Sequence, residues 1–453
     1  MSRIESRPTE WLSYSPTEAK YWDRPGFELE RERIFDICQG CRLCFNLCPA
    51  FPALFEAIDA KEGADVRRLT VAEKERVTDL CYGCKLCEVR CPYTPADGHE
   101  FQLDFPRLML RTKALRVREH GVPLRERLLG NPDLMGKLGT LTPGLANWGC
   151  RNKAQRALME TLLGIHRDKK LVSFAGETFV SWLKKTPIPA PPSDPAAKVV
   201  LFHTCFANYY EPAPARAAVD VLDRNRCEIV CPNQNCCGMP ALDGGDIKFA
   251  QRQASANLAA LLPLVRRGYR VVTINPTCSL MMRREYPSLI AGAEVRELSA
   301  AVMDTHELLY ELRRAGKFNR DFRSTPKSVA YHIPCHLKAQ GIGFRSRDLM
   351  RTIPGAEVTM VDACSAHDGT WSMKKEYFAL SMKWGEKAFS GMREAGARVM
   401  ASDCQLAALQ IEQATGTRPL HPIEILARAY RTDGFPDPVV AERDGSKPDP
   451  GAS

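Results

Sequence analysis

The chain has 453 residues, 44% hydrophobic and 26% charged. That globular composition excludes a wholly disordered or fibrous protein and leaves room for roughly two to four domains. No run approaches the roughly 18 apolar residues of a spanning helix, and the net charge of +9 is local rather than general. Residues 107–185 hold 16 Lys plus Arg against 6 Asp plus Glu, a surplus of +10, so the rest of the chain sums to −1. Nucleic acid is not expected as a partner.

Residues 1–27 are polar and aromatic without a clear period, and no apolar segment follows the basic start. A secretory leader is therefore not expected. The 18 cysteines then read as metal ligands in a reducing compartment, with the cytoplasm as default, rather than as a disulfide scaffold. Residues 28–38 (ELERERIFDIC) predict a charged helix that delivers the first of them.

Two runs follow. CQGCRLCFNLCP holds Cys38, Cys41, Cys44 and Cys48, and CYGCKLCEVRCP holds Cys81, Cys84, Cys87 and Cys91. Both have the spacing C-x2-C-x2-C-x3-C-P of two-cluster ferredoxins, in which the fourth Cys of each run ligates the other cluster. By that rule one 4Fe–4S cluster takes Cys38, Cys41, Cys44 and Cys91, and a second takes Cys81, Cys84, Cys87 and Cys48. Paired C-x2-C hooks are also zinc ligands, but the extra Cys and the Cys-Pro ending of each run argue against zinc. Helical patterns at 53–60 and 70–80 separate the runs, so residues 28–106 read as a helical ferredoxin-like domain.

The basic segment, 107–185, reads as an amphipathic helical connector. Leu110, Ala114 and Val117 share one face of the stretch 107–118, and Ala154, Leu158, Leu162 and Ile165 share one face of 153–165. Apolar stripes beside arginines fit a helix on an anionic membrane surface; they also fit a connector packed on this protein or a partner. Residues 186–198 (TPIPAPPSDPAAK) carry five prolines and predict an extended linker.

Residues 199–430 repeat internally, as modules 199–315 and 325–430. In the first copy apolar runs lead to Cys205, to Cys236–Cys237 and to Cys278; in the second, to Cys335, Cys364 and Cys404. Each run is followed by a helical pattern, which predicts βαβ units and a parallel sheet. In such sheets ligands gather at the carboxyl ends of strands, where all these cysteines fall; the alternative is buried core thiols. The vicinal Cys236–Cys237 pair before Gly238 suits two neighbouring metals, with a strained, reducible disulfide as its rival. Gly341-x-Gly343 lacks a third glycine, so nicotinamide or flavin is expected on a partner. Residues 431–453, rich in Pro, Asp and Gly, predict a disordered tail.

The two ferredoxin runs, FHTCFANYY, CCG, NPTCSLMMRREYP and YHIPCH together resemble the cysteine-rich (CCG) domain family of iron–sulfur proteins. That family includes the cysteine-rich subunits of anaerobic glycerol-3-phosphate dehydrogenases, heterodisulfide reductase subunits and glycolate oxidase iron–sulfur subunits. The likeness runs from about Cys38 to Tyr430. It implies a multidomain α + α/β fold: a helical two-cluster ferredoxin-like domain, then tandem CCG-type α/β modules. It also implies a non-flavin subunit that moves electrons between a flavoprotein dehydrogenase, of glycerol-3-phosphate or 2-hydroxy-acid type, and membrane quinone or another acceptor. Such a protein would be cytoplasmic, peripheral on the inner face of the membrane. The alternatives are disulfide reduction at the CCG site, as in heterodisulfide reductases, and donation to a rubrerythrin-type peroxide-scavenging system.

By the same resemblance Cys205, Cys236, Cys237 and Cys278 would hold a third centre, with Cys231 as a substitute for the final CxxC that this chain lacks. The second copy departs further, with ACSAHDGTW in place of CCG. Its Cys335, Cys364 and Cys404, beside His336 and His367, read as an altered site in which imidazole replaces thiolate, as a zinc or mononuclear iron site, or as a decayed duplicate. Cys150 and Cys227 receive no role.

Overall fold

The first helix, α1 (Arg24–Cys41), begins where the Asp23 side chain accepts the Gly26 N–H and Pro25 fills the first turn. It is longer than the predicted 28–38 and places Cys38 and Cys41 in its last turn, before Arg42 stops it in the left-handed region (φ 52°). The computed structural model to which it belongs describes residues 4–439. Next come α2 (Ala50–Asp59) and α3 (Val71–Leu80), the latter opened by a Thr70–Glu73 capping box. The short α4 (Leu86–Arg90) and α5 (Phe105–His120) complete the helical N-terminal body. Phe27, Phe35, Phe51, Phe55 and Phe105 fill its core, with the cysteine loops packed against them.

Helix α5 corrects the membrane reading of residues 107–118. Leu108, Met109 and Leu115 belong to the core of the N-terminal body, whereas Leu110 and Ala114 belong to that of the first module. Arg111 is 1% exposed and donates to the carbonyls of Trp11, Ser13, Lys20 and Tyr21. The helix is a buried strut between domains, with Arg111 satisfied from within.

Four shorter helices follow: α6 (Leu124–Leu129), α7 (Pro132–Leu141), α8 (Pro143–Arg151) and α9 (Lys153–Leu163). Pro132 and Pro143 start two of them and break the run into pieces, and Gly164, at φ 62°, ends the last. No helix among the described residues is long and apolar enough to cross a membrane.

The first module is a parallel sheet of β1 (Ala197–Phe202), β2 (Cys227–Val230), β3 (Arg270–Thr273) and β4 (Val302–Asp304), in the order β2-β1-β3-β4. The second contains β5 (Ser328–His332), β6 (Glu357–Val361) and β7 (Val399–Ser402), in the order β6-β5-β7. The first three strands of each module occupy the same places, the topology expected of a duplicated βαβ unit. One apolar core joins the modules, running from Val199, Leu201 and Val272 to Val329, Tyr331 and Ala401.

Residues 431–439 correct part of the disordered-tail expectation. Phe435 is 9% exposed, and Arg398 donates to the carbonyls of Phe435 and Pro436, so this stretch is pinned to the second module. The rest of that expectation, at 440–453, lies outside the described residues.

Candidate metal centres

In the N-terminal body the eight motif thiols fall into two groups. Cys38, Cys41, Cys44 and Cys91 line one small cavity, and Cys48, Cys81 and Cys84 line another; Cys87 lines both, so the groups adjoin. Left-handed residues Arg42, Gly83 and Lys85 turn the loops inward. Burial, then mutual repulsion with Cys91 and Cys41, pushes the Cys44 thiol up to about 11. Burial followed by Cys44, Cys91 and Cys41 also raises Cys38. Four thiols that disfavour one another's ionisation suit a cationic metal core. Cys41 is exposed whereas Cys48, Cys81, Cys84 and Cys87 are buried, so the first group lies at the surface and the second is internal.

The second group leads into a cavity of about 710 Å³ lined by both modules and by α7–α9, and reached by Tyr82 and Cys84. From the first module Cys205, Cys236, Cys237 and Cys278 all line it. Neighbouring thiols and burial together push Cys205, Cys236 and Cys237 well above the ordinary thiol range. Gly238 makes the turn after the pair at φ 93°, and a side chain there would also press on Gln253 and the Ala250 backbone, at 3.3 and 3.4 Å. Asn257 donates to the Cys236 carbonyl (3.2 Å) and Tyr286 to that of Cys237 (3.0 Å), which fixes the loop. The Cys236 N–H donates to Asp133 on α7 (2.6 Å), a contact that no sequence signal marks. Cys231 does not join this group. It packs against the core shared by the modules, which corrects its reading as a fifth ligand.

From the second module Cys335, Cys364, Cys404 and His367 line the same cavity. His336 does too, but both its nitrogens are occupied: Nδ1 pairs with the Thr277 hydroxyl (2.9 Å) and Nε2 with the Gly83 carbonyl (3.2 Å). It bridges the first module to the ferredoxin-like loop. His367 is the opposite case. It is 3% exposed, and neither ring nitrogen has a hydrogen-bond partner. Burial holds it neutral, the form that binds metal. His332, missed in the sequence, also lines the cavity, its Nδ1 set by Ser402 (3.0 Å). Among the described residues no three such side chains converge on one point as a single zinc or iron ion would need.

Module 2 is the nearer neighbour of the internal ferredoxin thiols. The Tyr82 hydroxyl lies 3.6 Å from Cys364 Sγ, and repulsion from Cys364 and Cys335 adds to burial in raising the Cys84 thiol. Asp243 of module 1 and Asp368 of module 2 also meet there: a methyl group on Gly83 would lie 3.3 and 3.6 Å from their oxygens. Burial lifts Asp243 to about 6, and burial with Asp243 alongside lifts Asp368 well above the usual carboxylate range. Cys150 lines the cavity as well; Cys227 is buried in β2.

Comparison with known proteins follows the same divisions. A cysteine-rich domain model (CCG) matches residues 199–283 and 329–412, and a 4Fe-4S dicluster domain model matches residues 37–94. The C subunit of the anaerobic glycerol-3-phosphate dehydrogenase of Escherichia coli K12 is 30% identical over 309 residues, 68% of this chain and 77% of that one. Lactate utilization protein A of Bacillus licheniformis is 26% identical over 214 residues, 46% of this chain and 87% of that one. The same protein of Halalkalibacterium halodurans is 28% identical over 215 residues, 46% and 85%.

Proposed function

The chain belongs to the CCG-domain family of iron–sulfur oxidoreductase subunits, and from that premise we propose that it connects a flavoprotein dehydrogenase, of glycerol-3-phosphate or 2-hydroxy-acid type, to membrane quinone. In this reading Cys38, Cys41, Cys44 and Cys91 hold one 4Fe–4S cluster and Cys81, Cys84, Cys87 and Cys48 a second. Cys205, Cys236, Cys237 and Cys278 hold a third centre, and Cys335, Cys364 and Cys404 with His367 an altered fourth. These groups supply single-electron transfer when bound.

The observation that carries the reading is the continuity of the thiol groups. They run from the exposed Cys41, through the buried ferredoxin group, to Cys364 beside Tyr82 and into the cavity shared with module 1. The protein's part is to hold the ligands and expose the first group to a partner. Attachment to the inner face of the cytoplasmic membrane would be peripheral.

The test is purification without oxygen, with counts of iron and acid-labile sulfide. Distinctly more than about eight iron per chain is expected, since two 4Fe–4S clusters supply about eight. Zinc in place of iron, or colourless protein without a paramagnetic signal after dithionite, overturns the reading. Because both modules open on one cavity, disulfide reduction there is the second reading. Turnover of a disulfide by the isolated chain with an artificial donor would favour it.

A further inference from the structure

We infer that α6–α9 dip into an anionic lipid surface and that the cavity beneath them takes its lipophilic acceptor directly from the bilayer. The inference rests on the proposed function and adds a place and a route. The first observation is where exposed apolar side chains collect. Of the 14 large hydrophobic residues exposed among the described residues, eight lie between Leu124 and Leu162. Leu134, Leu138 and Leu141 share one outer face of α7, and Leu158 and Leu162 one outer face of α9. Leu141 is 77% exposed and Leu162 70%.

Met135, Met159 and Leu163 of the same helices line the cavity, and among the described residues nothing covers the outer leucines, which are 45–77% exposed. Exposed apolar side chains gathered on successive helices mark binding surfaces.

The second observation chooses the occupant. Between Leu124 and Leu163 the exposed charges are all basic: Arg127, Lys137, Arg151 and Lys153. The carboxylates there, Glu126, Asp133 and Glu160, are not exposed. Exposed apolar side chains accompanied only by exposed cations complement an anionic lipid surface.

The third observation gives the route. Leu138, Leu145 and Trp148 line the cavity and are also exposed, so the cavity opens outward between α7 and α8. Its roof is one helix layer, about 10 Å thick, close to the 5–10 Å that interfacial helices sink into lipid. The walls are apolar, and the floor carries thiols, His367 and the Asp243–Asp368 pair. A flat redox-active head on an apolar tail fits that division, as in a bilayer quinone. Two electrons from the dehydrogenase's substrate and two protons from water would convert it to the quinol, with no bond formed to the protein.

The test uses the full, iron-loaded chain, with vesicles of phosphatidylglycerol and phosphatidylethanolamine against vesicles of phosphatidylcholine alone. The wild type should sediment with the anionic vesicles, and Lys137→Gln with Lys153→Gln should weaken this about fivefold per charge at low salt. Leu141→Glu with Leu162→Glu, neither in the cavity lining, should lose at least about tenfold in vesicle binding and in reduction of a long-tailed naphthoquinone held in the vesicles. The same variant should still reduce a short-tailed, water-soluble naphthoquinone with its donor. Tryptophan emission should be quenched by the short-tailed quinone in wild type and much less in Trp148→Phe.

Undiminished reduction of the vesicle-held quinone by the Leu141/Leu162 variant overturns bilayer loading. So does protection of Leu141→Cys from a thiol label by the dehydrogenase but not by vesicles, which would make this face a protein–protein contact. If the short-tailed quinone is reduced but vesicles are never bound, the proposed function stands and this inference falls. If vesicles and quinone are bound but neither quinone is reduced, the site stands and the acceptor reading falls.

Discussion

Modules 1 and 2 share a strand order and place their cysteines at the same strand ends, yet they meet the ferredoxin-like body in different ways. Module 1 docks on charge: Lys85, between two motif cysteines, pairs with Glu285, and the two side chains are 3% and 5% exposed. Arg107 lies 3.9 Å from the same carboxylate. Module 2 docks on neutral contacts. His336 Nε2 donates to the Gly83 carbonyl, Tyr82 touches Cys364, and the Trp371 indole donates to the Asp79 carbonyl at 2.8 Å. The thiols differ in the same sense. Module 1 brings four to the cavity, whereas module 2 brings three and carries an imidazole without a hydrogen-bond partner. Duplication fixes where ligands can stand; the loops decide what they can hold, and the altered copy is the one beside the ferredoxin thiols.

The charged junction should be the costlier to break. Glu285→Gln leaves Lys85 buried without its partner, at about 3–5 kcal/mol. Lys85→Met with Glu285→Leu should recover most of that loss, because desolvation offsets most of the attraction in an ion pair so enclosed. Denaturation of the full chain under anaerobic conditions measures both. A double variant as weak as the single one would mean that the pair itself holds the junction.

The two histidines of module 2 sharpen the contrast next. His336→Leu removes two hydrogen bonds and strands the Gly83 carbonyl and the Thr277 hydroxyl, so about 1–3 kcal/mol should be lost. His367→Leu removes a polar ring buried without a partner, so chelator-stripped protein should gain about 1 kcal/mol or stay level. In loaded protein the same change should lower iron content and alter the spectrum of the module 2 centre, whereas His336→Leu should leave the spectrum unchanged. Equal losses of stability from both variants would erase the distinction between bridge and ligand. Gly238→Ala gives a comparable figure in module 1: a φ of 93° predicts about 1–3 kcal/mol lost.

Spacing made the ferredoxin groups and the repeated βαβ plan legible, because ligand spacing and strand–helix alternation are local. The partition of the basic segment was not. Leu110 and Leu158 sit on similar stripes beside arginines, yet Leu110 is buried between two domains and Leu158 is half exposed. Periodicity reports that a face is apolar and not what covers it. His336 and His367 were equally plausible ligands for a similar reason. Only the positions of Thr277 and Gly83, 59 and 253 residues away from His336, decide that its nitrogens are taken. Asp133 had no signal at all, since a lone carboxylate at a helix start reads as a cap or a solvated charge.

The smallest expected effect lies where the two halves of the thiol series touch. Tyr82 is 1% exposed, its ring 5.0 Å from that of Trp371 and its hydroxyl 3.3 Å from the Leu47 carbonyl. Tyr82→Phe keeps the ring and its packing and removes one long hydrogen bond and one contact to sulfur, so no more than about 1 kcal/mol should be lost. Burial pushes the Cys364 thiol up, and the hydroxyl beside it opposes that rise. Hydrogen bonds to ligand sulfur raise a cluster's potential, so the variant should shift the potential of the proposed module 2 centre downward and leave that of the proposed module 1 centre in place. Potentiometry followed by spectroscopy on one sample reads both. An equal shift in the two modules would make Tyr82 part of a common electrostatic background, and the contrast between the junctions would then be mechanical only.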